Sequence, residues 1–122
     1  FRQSWLQEAG VEAVFVQQNL AHSKAAGVMR GLHYQVAPME QGKLVHAVRG
    51  AILDVAVDLR ASSPTRGRHL AFELSASNLT QLWIPPGFAH GYLTLEADTE
   101  VGYMTTAYYD PANPVFRHDN FL

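Results

Sequence analysis

Ala51-Ile52-Leu53-Asp54-Val55-Ala56-Val57-Asp58-Leu59-Arg60 alternates with a period of two. In an extended chain Leu53, Val55, Val57 and Leu59 share one face, and Asp54, Ala56 and Asp58 share the other. Bounded by Gly50 in front and Ser62-Ser63-Pro64 behind, the stretch predicts a strand over 51–60. A strand patterned this way needs one wet face, either solvent or a polar cavity. For any single acid, solvent is the expected neighbour.

The same period extends outward. Residues 43–49 set Leu44, His46 and Val48 opposite Lys43, Val45 and Ala47. Further strands are predicted over 70–75, 81–84, 91–95 and 101–108, and a short apolar run over 14–17 leads to Gln18-Asn19. Arg49-Gly50, Pro85-Pro86-Gly87, Glu96-Ala97-Asp98 and Asp110-Pro111 supply the turns between them. Only 2–10 reads as helix, with Gly10 as its stop. Many short strands with evenly spaced turns predict an all-β antiparallel sandwich or small barrel, one domain across 1–122. A barrel of this size fills its interior or holds one small ligand at its mouth.

Composition narrows the function. The 122 residues, 48% of them hydrophobic, suit one globular domain and exclude general disorder. A net charge of −2 argues against non-specific binding to nucleic acid or to a membrane surface, both of which favour a basic excess. With no cysteine there is no disulfide, thiolate zinc site or cysteine nucleophile, which fits a cytoplasmic protein. No apolar run approaches the roughly 18 residues of a spanning helix. Phe1 stands where a start methionine would, so the chain reads as a piece trimmed at its ends.

Six histidines compete for a chemical role. His22, His69 and His118 sit in polar segments and read as solvated, and His46, among aliphatics, reads as structural. His33 and His90 differ, because each lies where a glycine-marked break meets a strand, and glycine lets a ligand approach the backbone. Pro86-Gly87-Phe88-Ala89-His90, entered from Pro85, resembles the second cupin motif. Metal-binding cupins also carry an H-x-H and a Glu in the first motif. His33 instead follows Leu32, with Gln35 two places on, so no metal is expected. In a metal-free pocket a histidine takes a proton near neutral pH, an ammonium stabilises an oxyanion, and a tyrosine donates a proton. That trio suits removal of a proton α to a carbonyl and its return from the other face.

Six linked segments then carry a specific resemblance. They are Arg30-Gly31-Leu32-His33-Tyr34-Gln35, Gln41-Gly42-Lys43-Leu44-Val45, Asp54-Val55-Ala56-Val57-Asp58-Leu59-Arg60, Ser62-Ser63-Pro64-Thr65, Gln81-Leu82-Trp83-Ile84-Pro85 and Gly87-Phe88-Ala89-His90-Gly91. In order and spacing, over nearly the whole chain, they resemble the dTDP-4-dehydrorhamnose 3,5-epimerase family. The resemblance implies a cupin-like, jelly-roll type antiparallel barrel, normally a homodimer. It implies epimerisation of dTDP-4-keto-6-deoxyglucose at C3 and C5 to dTDP-4-keto-rhamnose, without a cofactor. A C3-only epimerase of a related deoxysugar nucleotide would share these motifs, and so would a non-catalytic sugar-nucleotide binding module.

Motif by motif, the resemblance implies His33 as the base, Lys43 as the group facing the enolate oxygen at C4, and Tyr103 as the acid. It implies His90 in the sugar pocket, Gln17 and Asn19 on the nucleotide, Arg30 on the diphosphate, and Tyr109 near the thymine. The family's aspartate that orients the base lies past the barrel and has no counterpart here, although Asp54 and Asp58 are acids that a cavity would accommodate. Met104 stands where the family commonly has lysine, and Ala21 where serine is common.

Overall fold

The structure, a computed structural model, describes residues 1–111, so His118 lies outside the described residues. A short helix, α1 (Gln3–Glu8), precedes eight strands: β1 (Gln17–Ser23), β2 (Met29–His33), β3 (Lys43–Arg49), β4 (Ala51–Asp58), β5 (His69–Ser75), β6 (Gln81–Ile84), β7 (Phe88–Thr94) and β8 (Thr99–Thr105). They form two antiparallel four-stranded sheets, β1-β8-β3-β6 and β2-β7-β4-β5. This is the all-β, cupin-like barrel. Val45, Ile52, Leu74, Ile84 and Val101 pack between the sheets with Tyr92, each essentially inaccessible to water. A fully buried aliphatic of this size is worth about 1.5–3 kcal/mol.

The strand ends differ from the sequence pattern for local reasons. β1 starts at Gln17, so most of the apolar run over 14–17 precedes it. β4 stops at Asp58 because its carboxylate accepts the backbone N–H of Arg60 and turns the chain. β7 starts three residues early, at Phe88, and β8 ends at Thr105 rather than 108. β2 has no signature in the pattern because Gly31 interrupts its alternation.

The solvent expected beside the acids of β4 is not there. Asp54 and Asp58 are 0% and 2% exposed, and they share the inward face with Ile52 and Ala56. Leu53, Val55 and Val57 lie half-buried on the outer face. Alternation determines which residues share a face; only the closure of the second sheet decides which face is covered. Each buried acid is matched locally. Asp58 accepts hydrogen bonds from Arg60, Ser63 and Thr65, and Asp54 meets His90.

β2 carries the irregularity that shapes the barrel mouth. Arg30 pairs with Tyr92 and His33 with His90, so three steps on β2 oppose two on β7. Without this bulge Arg30 and His33 would point to opposite faces; with it they share the side of Tyr92 and His90. Gly31 makes it possible. Its φ is +108°, and an added Cβ would lie 2.7 Å from the Gly91 Cα and the His90 carbonyl oxygen.

Candidate active site

A cavity of about 330 Å³ opens at the end of the barrel, lined in part by His33, Lys43, Phe88, Tyr103 and the polar side chains of β1. Register explains the convergence. On the first sheet Asn19 pairs with Tyr103, Tyr103 with Val45, and Gln17 and Lys43 both with Thr105. Residues two apart face the same way, so Gln17, Asn19, Tyr103 and Lys43 form one inward patch. His33 belongs to the other sheet and enters the cavity from the facing wall.

The segment after β8 is tied over this mouth by three glutamines. Gln41 Nε2 donates to the Ala107 carbonyl at 2.9 Å, and the Tyr109 N–H donates to Gln17 Oε1 at 3.0 Å. Gln35 accepts from the Asp110 N–H at 3.2 Å, and its Nε2 donates to the Met39 carbonyl at 2.6 Å. These bonds set Tyr109 at the cavity rim. Gln17 Nε2 also donates to Asn19 Oδ1 at 2.9 Å, so the two amides are held relative to one another.

Electrostatics suit proton transfer. Lys43 is only 9% exposed, and burial draws its ammonium down to about 8, opposed by the negative charge of Asp54. It therefore remains mainly charged at pH 7 but sits near its titration point. Burial raises the Tyr103 phenol above its ordinary value, opposed by Arg30, so the ring carries its proton at neutral pH. Burial also holds His90 below the ordinary imidazole value, against its hydrogen bond to Asp54 and the charge of that carboxylate.

Six of the eight residues singled out in the sequence, His33, Lys43, Tyr103, Gln17, Asn19 and Tyr109, line this cavity. Two do not. The Arg30 guanidinium donates to Ser23 Oγ at 3.1 Å and to the His22 carbonyl at 3.2 Å, while staying within electrostatic reach of Tyr103 and Tyr92. His90 is 5% exposed, behind the wall, with Nε2 2.7 Å from Asp54 Oδ2. Sequence reasoning gave Gln35 and Gln41 no role of their own, and it named Asp54 as an acid a cavity would accommodate without pairing it with His90. For Asp54 the available signal was an acid inside the most aliphatic strand.

A barrel of two facing antiparallel sheets whose mouth gathers His, Lys, Tyr and paired amides defines a cupin-like protein with a small-molecule site. The dTDP-4-dehydrorhamnose 3,5-epimerase family pattern matches residues 1–118, and the chain belongs to that family. A dTDP-4-dehydrorhamnose 3,5-epimerase of Sinorhizobium fredii is 50% identical over 109 residues, which cover 89% of this chain and 56% of that protein. The crystal structure of a Legionella pneumophila dTDP-6-deoxy-D-glucose-3,5-epimerase in complex with dTDP-4-keto-L-rhamnose is 42% identical. It superposes with a TM-score of 0.90 over 99% of this chain and 63% of its own. A 3'-monoepimerase of Streptomyces bikiniensis in complex with dTDP-quinovose is 35% identical, with a TM-score of 0.85 over 98% and 60% of the two chains. The chain thus spans less than two thirds of the length of these relatives.

Proposed function

We propose that the protein epimerises dTDP-4-keto-6-deoxyglucose at C3 and C5, giving dTDP-4-keto-rhamnose without a cofactor. One observation carries the reading: His33 and Tyr103 line a single cavity from opposite sheets, with Lys43 on the Tyr103 side. Inverting a carbon centre needs removal of a proton at one face and its return at the other. The His33 imidazole takes the proton from the carbon beside the C4 ketone, and the C–H electron pair moves into an enolate. The developing O4 charge faces the Lys43 ammonium in a partly dehydrated wall. The Tyr103 hydroxyl delivers its proton to the opposite face of the carbon, and solvent restores both side chains. Gln17, Asn19 and Tyr109 hold the nucleotide end, Arg30 reaches the diphosphate, and His90 backs the sugar subsite.

The likeness to a 3'-monoepimerase supports a second reading, exchange at C3 alone. Proton NMR of dTDP-4-keto-6-deoxyglucose in deuterated water with this chain separates the two. Deuterium at C3 and C5 establishes the 3,5-epimerase, and deuterium at C3 alone establishes the narrower enzyme. Binding of dTDP with no exchange overturns both and leaves a binding module.

The working form of this reading is a single barrel domain, cytoplasmic and homodimeric. An apolar groove of about 240 Å³ on the outer face of the β2-β7-β4-β5 sheet, lined in part by Met29, Leu53, Val55 and Leu93, offers a self-complementary contact. Among the described residues, no helix is long and apolar enough to cross a membrane. Analytical ultracentrifugation of Val55→Glu tests the dimer. Dissociation relative to the parent is expected, and an unchanged mass places the contact elsewhere.

A further inference from the structure

Behind the cavity wall lies a charge arrangement that the proposed reaction does not use directly. Asp54 on β4 is completely buried and is not among the residues lining the cavity. In register, Asp54 pairs with Tyr92 and Ala56 with His90, so His90 is the diagonal neighbour of Asp54 on the same inward face. The contact between them, 2.7 Å from Nε2 to Oδ2, is short and sealed from water. The second oxygen, Oδ1, accepts no hydrogen bond from any described residue. A buried carboxylate left half-satisfied is costly unless a positive charge compensates it. Lys43 supplies that charge from the facing sheet: it is buried to 9% exposure, and the negative charge of Asp54 favours its ammonium form against burial.

We propose that Asp54 is a positioning residue, the shared counter-ion that fixes His90 in its Nε2–H tautomer and keeps Lys43 an ammonium at the cavity wall. The proposal rests on the epimerase reading for its purpose and on geometry for its existence. With Nε2 donating to the carboxylate, the single proton of neutral His90 is placed and Nδ1 becomes the acceptor. With Asp54 ionised, the Lys43 ammonium is favoured in a place where burial disfavours its charge. The other groups near the pair from the packed strands are Tyr92 on β7, Tyr103 on β8, and Arg30 and His33 on β2. Of these Arg30 adds positive charge, which increases the need for a buried anion.

The chain has two lysines, Lys24 and Lys43, so ¹³C labelling at lysine Cε yields two assignable signals, with exposed Lys24 as the reference. In the parent chain Lys43 titrates near 8. In Asp54→Asn its midpoint falls by about one unit, a tenfold change in the charged-to-neutral ratio. An unmoved midpoint in a folded Asp54→Asn variant overturns the proposal. Ring ¹⁵N shifts of His90 in the parent chain need no variant to fold: the Nε2–H pattern supports the proposal, and the Nδ1–H pattern overturns it. Neither readout depends on turnover. Absence of deuterium exchange on the sugar nucleotide would refute the epimerase reading while these two measurements still decide the role of Asp54.

Discussion

Arg60 grips Asp58 with two parallel hydrogen bonds, Nε to Oδ1 at 3.0 Å and Nη2 to Oδ2 at 2.9 Å. The same guanidinium lies 4.9 Å above the ring of Phe88, which lines the cavity. Gly87 packs so closely on the Arg60 stem that an added Cβ would sit 2.5 Å from Cγ. The pair therefore anchors the turn after β4 to the strand that enters the site.

Those bonds, led by the Arg60 guanidinium, hold the Asp58 carboxyl well below the usual carboxylate range. A carboxyl depressed in the folded state stabilises the fold above its unfolded value, near 4, and loses that contribution as pH falls further. Thermal unfolding followed from pH 7 to pH 2 is expected to show an acid decline in melting temperature. In Asp58→Asn the neutral-pH melting temperature falls and the decline below pH 4 flattens. An equally steep acid limb in the variant would assign that limb to another group.

Gly31→Ala should damage stability and site together. The substitution forces a side chain into φ +108° and against the Gly91 Cα, so a loss of about 1–3 kcal/mol is expected. If the bulge straightens in response, Arg30 and His33 no longer share a face. Urea denaturation measures the first effect and dTDP titration the second. Parent-like values in both would show that the bulge tolerates a Cβ.

His33→Asn and Tyr103→Phe should separate the two halves of the reaction. Removing the base is expected to cut deuterium exchange by about 10²–10⁴-fold with dTDP binding nearly unchanged. Tyr103→Phe should slow product formation more than initial proton removal, since the ring stays and only the donor is lost. NMR exchange run in parallel with product detection distinguishes them. An equal loss in both readouts for Tyr103→Phe would remove it as the acid.

Lys43 predicts the alkaline side of the pH profile. It stabilises an oxyanion only as an ammonium, and burial sets its midpoint at about 8. Exchange should be fully supported below that value and fall tenfold per pH unit well above it. In Lys43→Met the alkaline limb should vanish along with most of the rate. A parent enzyme whose activity stays flat to pH 10 would contradict the assignment.

Much of this was legible in the chain. The alternation in 51–60 and 43–49 and the turn residues between strands announced an antiparallel β architecture, and the Gly-flanked His33 and His90 stood out from the other histidines. β2 was not legible, because its bulge at Gly31 erases the period that marks a strand. The alternation of β4 was correct and its orientation was not, since an isolated strand has two equivalent faces.

By itself, then, the sequence determined most of the strands, their turns, the family and the residues able to move protons, which are legible in short motifs of neighbouring residues. Only the tertiary structure decided that Asp54 is buried against His90, 36 residues away. The same holds for Lys43 being a desolvated cation rather than a surface charge, and for His33 and Tyr103 facing one cavity from opposite walls. Those outcomes depend on pairing register and on closure of one sheet over the other. Long-range contacts set both, and together they determine which side chains lose their water.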